Sequence, residues 1–238
     1  MLSAMSKGMM MLDIADTINV SIQQFYGIEV NDFAVKVAKT ALWIAEAQMW
    51  TETKKIISSF TNISDFLPLE TYDNIVEENA LRINWNDVIS NNKCSYIMGN
   101  PPFVGSKYSD KEQKLDMDYV FENNSKIKYR TLDYVTCWFY LASKYILETE
   151  IKCAFVSTNS ITQGEQTGII WKPIIEMGIT INFAHRTFRW DSEASLKAHV
   201  HCVIIGFSCK NLVDKKIIFD NGKVLKTNNI NPYLVSAP

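Results

Sequence analysis

The stretch Ser95-Tyr96-Ile97-Met98-Gly99-Asn100-Pro101-Pro102-Phe103 opens as an apolar run and closes as a rigid loop, the pattern of a buried strand that ends at a site. The two prolines fix φ and remove two backbone donors, so the loop presents carbonyl acceptors beside the Asn100 amide. Two acceptors suit one exocyclic NH2 group. If the Asn100 side-chain oxygen and the Pro101 carbonyl both accept from it, the nitrogen lone pair is drawn out of ring conjugation and becomes available to an electrophile. Phe103 adds a flat face on which a base stacks. Taken alone, Asn-Pro-Pro also reads as a plain turn with an aromatic staple, because both residue types are ordinary in turns.

Outward from this strand, short apolar runs alternate with helical stretches, which predicts a mostly parallel sheet covered by helices and an α/β fold class. Residues 25–30 (FYGIEV) predict a first strand. A helix follows over 32–50, in which Val35, Ala38, Leu42 and Ala45 recur at helical spacing. Residues 51–73 are less regular. Residues 75–81 predict a second strand, 94–98 a third, and 132–149 an aromatic-rich helix with Asp133 near its positive end. Residues 152–157 (KCAFVS) predict a fourth strand and 165–177 a helix. Strands over 179–184 and 200–207 follow, the latter being the last and reached through a connection over 186–198. The segment 105–130 is polar, charged and long, and reads as a mobile active-site lid or a disordered connection.

The composition is that of an ordinary globular chain: 238 residues, 47% hydrophobic and 21% charged, enough to bury a sizeable core in one domain. No apolar stretch approaches the roughly 18 residues of a membrane span, and residues 1–16 lack the continuous apolar core of a signal peptide, so a cytoplasmic location is expected. Cys94, Cys137, Cys153, Cys202 and Cys209 form no CxxC pair and read as reduced thiols. A net charge of -2 argues against a chain that grips nucleic acid unaided, since phosphate neutralisation dominates such affinity.

The chain resembles the gamma-type adenine-N6 DNA methyltransferases, in particular the methyltransferase region of MmeI-like (type IIG) restriction-modification enzymes. The resemblance rests on FYGIEVNDFAVKVAKTALWIAEAQM at 25–49, NALRINW at 79–85, YIMGNPPFVG at 96–105, LDYVTCWF at 132–139, CAFVSTNSITQGEQ at 153–166, FAHRTFRW at 183–190 and VHCVIIGF at 200–207, in the family's order. It implies a class I, Rossmann-like sheet that binds S-adenosylmethionine and methylates the N6 of an adenine flipped out of double-stranded DNA. Glu29 matches the acid that accepts from the cofactor's ribose hydroxyls, as carboxylates do in related folds; by itself it reads as a surface acid near a helix start. Asn79 falls where the family contacts the cofactor's adenine, and otherwise reads as a strand-end turn. Asn100, Pro101, Pro102 and Phe103 take the target-base role. Phe188 and Trp190 fall where an aromatic covers the other face of the flipped base, or else belong to the core. Arg186, Arg189, Lys197 and His199 are candidates for phosphate contact or a solvated face. His185, His199 and Asp191 look superficially like acid-base partners, but methylation of an amine demands no strong general base, so they carry no assigned role. No metal is expected.

The departure from the family is informative. A glycine-rich turn, roughly D/F-x-x-x-G-x-G, ordinarily lets the backbone approach the methionine part of the cofactor. Here no GxG occurs; the closest glycines are Gly164 and Gly168, and up to Glu29 there are only Gly8 and Gly27. The resemblance then implies that the first, central strand and its glycine turn belong upstream of Met1, with residues 1–24 the tail of the first helix and its connection. A target-recognition domain would follow the C-terminal end. The expectation is a partial methyltransferase domain over 1–238, impaired alone and dependent on both flanking segments. The alternatives are a non-catalytic remnant that binds DNA or a partner, and a methyltransferase acting on RNA or a protein glutamine amide, since the loop holds any planar NH2 group.

Overall fold

The computed structural model describes residues 20–57, 74–122, 127–191, 199–210 and 212–237. They divide into two compact units, Met1–Ala80 and Leu81–Pro238. Of the segment 1–24, residues 1–19 lie outside the described residues, and Ile22–Gln24 is a single 3-10 turn.

In the first unit, β1 (Gly27–Glu29) and β2 (Ile75–Glu77) pair in parallel, with Glu29 opposite Glu77. Helix α1 (Asp32–Ile57) joins the same unit. Asn31 starts it: its Oδ1 accepts from the Ala34 N–H at 3.0 Å and its carbonyl from the Val35 N–H at 3.0 Å, satisfying donors that no helical carbonyl reaches. The helix outruns the expected end at residue 50 because TETKKII contains no breaker, and Glu52 and Lys55 pair one turn apart. Ile22, Val35 and Ile75 form the buried cluster, with Ala38, Leu42 and Trp43 against it. The second strand stops at Glu77 rather than residue 81: Glu78 N–H donates to the Glu29 carbonyl at 3.0 Å and the chain then turns.

The second unit is built on a six-stranded sheet in the order β3-β4-β6-β5-β7-β8. Its strands are β3 (Tyr96–Gly99), β4 (Lys152–Thr158), β5 (Thr180–Asp191), β6 (His199–Ser208), β7 (Lys216–Asp220) and β8 (Lys223–Thr227). The sheet is mixed. β3 lies parallel to β4 and β5 parallel to β7, while β6 runs antiparallel to both β4 and β5, and β8 antiparallel to β7. The carboxyl ends of β3, β4, β5 and β7 therefore gather at one edge, where open α/β sheets place ligands.

Helices α2 (Trp85–Val88), α3 (Lys111–Phe121), α4 (Thr136–Tyr145) and α5 (Gly164–Glu176) complete this unit. The α4 residue Phe139 is the centre of the core, with ring centroids 5.3 Å from Phe155, 5.9 Å from Trp171 and 5.6 Å from Phe207. The Trp171 indole N–H is satisfied by the Ile161 carbonyl at 3.0 Å, as a buried indole requires.

Several elements differ from the sequence expectation. The 105–130 segment is not an unstructured connection: α3 lies within it, capped where Asp110 Oδ1 accepts from the Gln113 N–H at 2.8 Å and Gln113 Oε1 from the Asp110 N–H at 3.1 Å. Met117, Val120 and Phe121 bury themselves in the main core. Their helical spacing is thinly spread among charges, which hid the period. Residues 123–126 lie outside the described residues. Helix α4 starts four residues later than expected, and ahead of it the Tyr134 N–H donates to the Val104 carbonyl at 2.9 Å. The expected connection over 186–198 begins as strand, because β5 runs on to Asp191 past a register shift between His185 and Phe188; residues 192–198 lie outside the described residues. Nor is β6 the last strand. Asn221 (φ 48) and Gly222 (φ 77) turn β7 into β8, and Asn-Gly is a strong hairpin signal. Among the described residues no helix is long and apolar enough to cross a membrane.

Candidate active site

Strand β3 ends at Gly99, where a Cβ would lie a tight 3.3 Å from the Phe155 ring, and Pro101 and Pro102 beyond it have no N–H to continue the ladder. The chain then presents Asn100 on the surface, where its amide makes no hydrogen bond among the described residues. Pro101 behind it is buried, and Phe103 and Val104 are half-buried against the main core. The far side of the loop is tied down. Val104 accepts from Tyr134 N–H at 2.9 Å, and the Gly105 carbonyl from Tyr108 N–H at 2.8 Å and from the Ser109 hydroxyl at 3.4 Å. The amide is thus free while the backbone that carries it is fixed, an arrangement suited to accepting from a ligand rather than to closing a turn.

Beside this loop β4 ends in the turn Asn159–Thr162, which leads into α5. A hollow of about 460 Å³, open to solvent, is lined there by Thr131, Asn159, Ser160, Gln163 and Gln166 among others. Against it sits Asp133, 8% exposed. Its Oδ1 accepts from Ser106 N–H and from Gln166 Nε2, each at 3.2 Å, and its Oδ2 accepts from the Ser160 hydroxyl. Gln166 Oε1 in turn accepts from the Asp133 N–H at 2.9 Å. Asp133 does lie at the N-terminal end of α4, where its carbonyl accepts from the Thr136 N–H at 3.0 Å, but its carboxylate also joins three distant segments that the sequence reading did not foresee. Sequence reasoning also passed over Ser160 and Gln166; the polar run TNSITQGEQ after a buried strand is the signal that pointed to them.

Phe188 and Trp190 lie on the far half of β5, opposite Cys202 and Val200 of β6. Their ring centroids are 6.3 Å apart and Trp190 is 50% exposed, so Trp190 is not core. The row continues through His185, edge-on to Phe188 at 4.9 Å and stacked on Phe219 at 6.1 Å. Arg186 is engaged with Asp220 at 2.9 Å and so serves the β5–β7 pair. Arg189 is exposed on the same strand arm. Lys197 and the side chains of Asp191 and His199 lie outside the described residues, and His185 Nδ1 lies 3.0 Å from the Arg186 carbonyl.

In the first unit, Glu29 and Asn79 stand at the carboxyl end of the parallel β1–β2 pair, Glu29 as the last residue of β1 and Asn79 just past β2. Glu29 Oε1 accepts from the Asn31 N–H at 3.0 Å, while Asn31 itself caps α1. Among the described residues no cluster of His, Cys, Asp and Glu is placed to hold a metal. The cysteines are free thiols, and burial pushes those of Cys137 and Cys153 well up, which keeps them protonated and inert.

Comparison with known proteins agrees with this arrangement. The family described as MmeI, DNA-methyltransferase domain, matches residues 3–220. DNA methyltransferase A of Bacillus subtilis (strain 168) is 44% identical over 223 residues, covering 92% of this chain and 25% of that protein. The structure of the Type IIL restriction-modification enzyme MmeI in complex with DNA superposes with a TM-score of 0.85 at 44% identity, over 98% of this chain and 31% of that one. The chain thus spans between a quarter and a third of the length of these relatives, and its fold is the class I methyltransferase-like α/β sheet. A match across nearly the whole chain, with Glu29, Asn79 and the Asn100 loop all at the carboxyl ends of parallel strands, makes the chain a member of the MmeI DNA-methyltransferase domain family.

Proposed function

We propose that this chain carries the methyl-transfer chemistry of a restriction-modification protein and acts on the N6 amine of an adenine rotated out of double-stranded DNA. The observation that carries the reading is the Asn100 amide, exposed and without a hydrogen-bond partner among the described residues, on a backbone fixed by two prolines and by the Val104–Tyr134 bond. Asn100 Oδ1 and the Pro101 carbonyl accept from the two amine hydrogens, which withdraws the nitrogen lone pair from the ring. Phe103 supports one face of the base, and the exposed Trp190 or its neighbour Phe188 covers the other. This preorganised pair of acceptors is the principal contribution of the protein to the barrier.

S-adenosylmethionine, when bound, supplies the electrophilic methyl group. The residues present fit it: Glu29 offers a carboxylate at a strand end for the ribose hydroxyls, and Asn79 an amide for the adenine edge. The absence of any GxG sequence and the small share of the relatives' length covered support a working form in which other segments supply a glycine turn for the methionine part and read the DNA sequence.

A labelled-methyl assay on adenine-containing duplex tests the reading in the complete polypeptide that carries this sequence. Asn100→Ala lowers the rate by a factor on the order of a hundred or more, with cofactor binding retained. Phe103→Ala weakens capture of the base by roughly 1 to 3 kcal/mol, and Glu29→Ala acts chiefly on cofactor affinity. Methylation of adenine at the parent rate by Asn100→Ala refutes the proposal.

A further inference from the structure

We infer that Asp133 is the positioning residue of the Asn100 loop: its buried carboxylate ties that loop to the turn after β4 and to α5, and so fixes where the Asn100 amide points. The inference rests on Asn100 holding the target amine, and it assigns the geometry of that contact to a residue that touches neither base nor cofactor. Asp133 spends its oxygens on segments distant in sequence: the Ser106 N–H beyond the Asn-Pro-Pro-Phe loop, the Gln166 side chain on α5 and the Ser160 hydroxyl in the turn after β4. Its own N–H returns to Gln166, and its carbonyl accepts from the Thr136 hydroxyl at 2.7 Å. Burying a carboxylate is costly unless hydrogen bonds replace its hydration. Here the N–H and O–H donors named above replace it, and no ion pair with Asp133 occurs among the described residues.

Adjacent residues hold the loop at two places. Tyr134 N–H engages the Val104 carbonyl and Asp133 Oδ1 engages the Ser106 N–H. Between these anchors and Asn100 lie Pro101 and Pro102, with fixed φ, and Phe103, packed on the core. Displacement at Ser106 is therefore passed along a stiff backbone to Asn100, and a shift near 1 Å at a reacting group costs about a hundredfold in rate. The same carboxylate joins the two neighbouring strand ends, β3 through the loop and β4 through Ser160, so that the base-holding loop and the polar hollow keep one relative position.

The test compares Asp133→Ala, Asp133→Asn and Ser160→Ala with Asn100→Ala in the complete polypeptide, using amide hydrogen exchange and methyl-transfer kinetics. Asp133→Ala speeds exchange at Ser106 by roughly tenfold or more, the loss of one charge-assisted bond, while β4 amides stay protected. Its kcat falls by about a hundredfold and its cofactor KM stays within about twofold of the parent, a split that general destabilisation does not give. Asp133→Asn, which keeps an oxygen for Ser106, recovers part of kcat. Ser160→Ala leaves the core intact and lowers kcat by a smaller factor. An unchanged Ser106 amide, or parental kcat in both Asp133→Ala and Ser160→Ala while Asn100→Ala is inactive, overturns the clamp and leaves the reading of Asn100 standing. Parental kcat in Asn100→Ala overturns both.

Discussion

The two units of this chain carry comparable chemical signals on very different foundations. In the first, Glu29 and Asn79 stand on a two-stranded sheet whose buried cluster, among the described residues, is Ile22, Val35 and Ile75. Its helix α1 leaves Phe33 74%, Val37 50% and Ile44 54% exposed. In the second, Asn100 leaves a six-stranded sheet packed on Phe139, Phe155, Trp171 and Phe207, each 3% exposed or less. Among the described residues the first unit has only a two-stranded sheet, marginal by itself, whereas the larger unit buries enough apolar surface to fold cooperatively. Glu29 and Asn79 thus sit on the half that the described contacts make the weaker, and the Asn100 loop on the stronger.

The largest expected effect breaks the stronger half at its centre. Phe139→Ala removes a ring that touches three other buried aromatics and leaves a cavity that the sheet cannot close; unfolding by denaturant should show a loss of about 3 to 5 kcal/mol. Val35→Ala in the smaller cluster should cost less than about 2 kcal/mol, because a thin core relaxes around the gap. Equal losses at the two sites would erase the contrast.

Amide exchange sharpens the comparison without mutation. Amides of β1 and α1 should exchange through local opening at least about 2 kcal/mol more easily than those of β4 and β6, whose exchange should require global unfolding. Added S-adenosylmethionine should narrow that gap from the β1 side if Glu29 binds it. Matching protection in both halves would mean that the exposed stripe of α1 is no measure of weakness.

What the sequence disclosed follows the same division of physics. Strands β3, β4 and the start of β5 were legible because apolar runs bounded by turn residues have few other readings, but β3 is not the buried strand its composition suggests: it is a sheet edge with Tyr96 67% and Met98 81% exposed. The strand-end positions of Glu29 and the Asn100 loop were legible because they lie next to such runs. Helix α3 was not, since Met117, Val120 and Phe121 carry its core face alone amid LysGluGlnLys and AspMetAsp, and a period marked by so few residues is easily lost. The β7–β8 hairpin was missed although Asn221-Gly222 announces it. Asp133 was placed correctly at a helix start but its further role was not seen: an acid there has a ready local explanation, and its partners Ser106, Ser160 and Gln166 meet it only once β3, β4 and α5 have assembled. The rings of His185, Phe188, Trp190 and Phe219 belong to the same category, because a bulge and a β5–β7 pairing bring them into one row.

A smaller effect tests how the second unit holds the helix that the sequence left as a lid. Asp116 of α3 is buried; its Oδ1 accepts from Arg82 Nε at 2.5 Å and its Oδ2 from the Tyr134 hydroxyl at 2.7 Å. The Arg82 guanidinium, lying over the Tyr119 ring at 4.8 Å, is 40% exposed, so solvent screens the pair. Arg82→Ala should lower stability by about 1 kcal/mol, below the usual worth of a charge-assisted bond. No change in the denaturant midpoint would show that Phe121 and its neighbours alone seat α3.

The smallest effect is the pH dependence of the second unit's stability, which is flat at ordinary pH and appears only in alkali. Burial first, and then the neighbouring Cys94 thiol, push the Tyr145 hydroxyl from 10.0 up to about 12, and it donates to the Ile89 carbonyl at 2.6 Å. Tyr134 moves in the same direction through burial and its bond to Asp116. A group whose pKa is raised by folding gives stability that is complete below its unfolded pKa and is lost as pH climbs through the folded value. The second unit should therefore hold a constant stability up to about pH 9, where the buried thiols begin to count, and lose it progressively towards pH 12. Tyr145→Phe should cost about 1 kcal/mol at pH 8 through the lost hydrogen bond and should flatten part of the alkaline slope, because phenylalanine has no proton to release. Denaturant unfolding followed by hydrogen exchange at β4 and β6 amides reports on this unit directly. An alkaline slope identical in parent and Tyr145→Phe would assign the loss to Tyr134 and the buried thiols instead, and would remove Tyr145 from the account of what makes the stronger half strong.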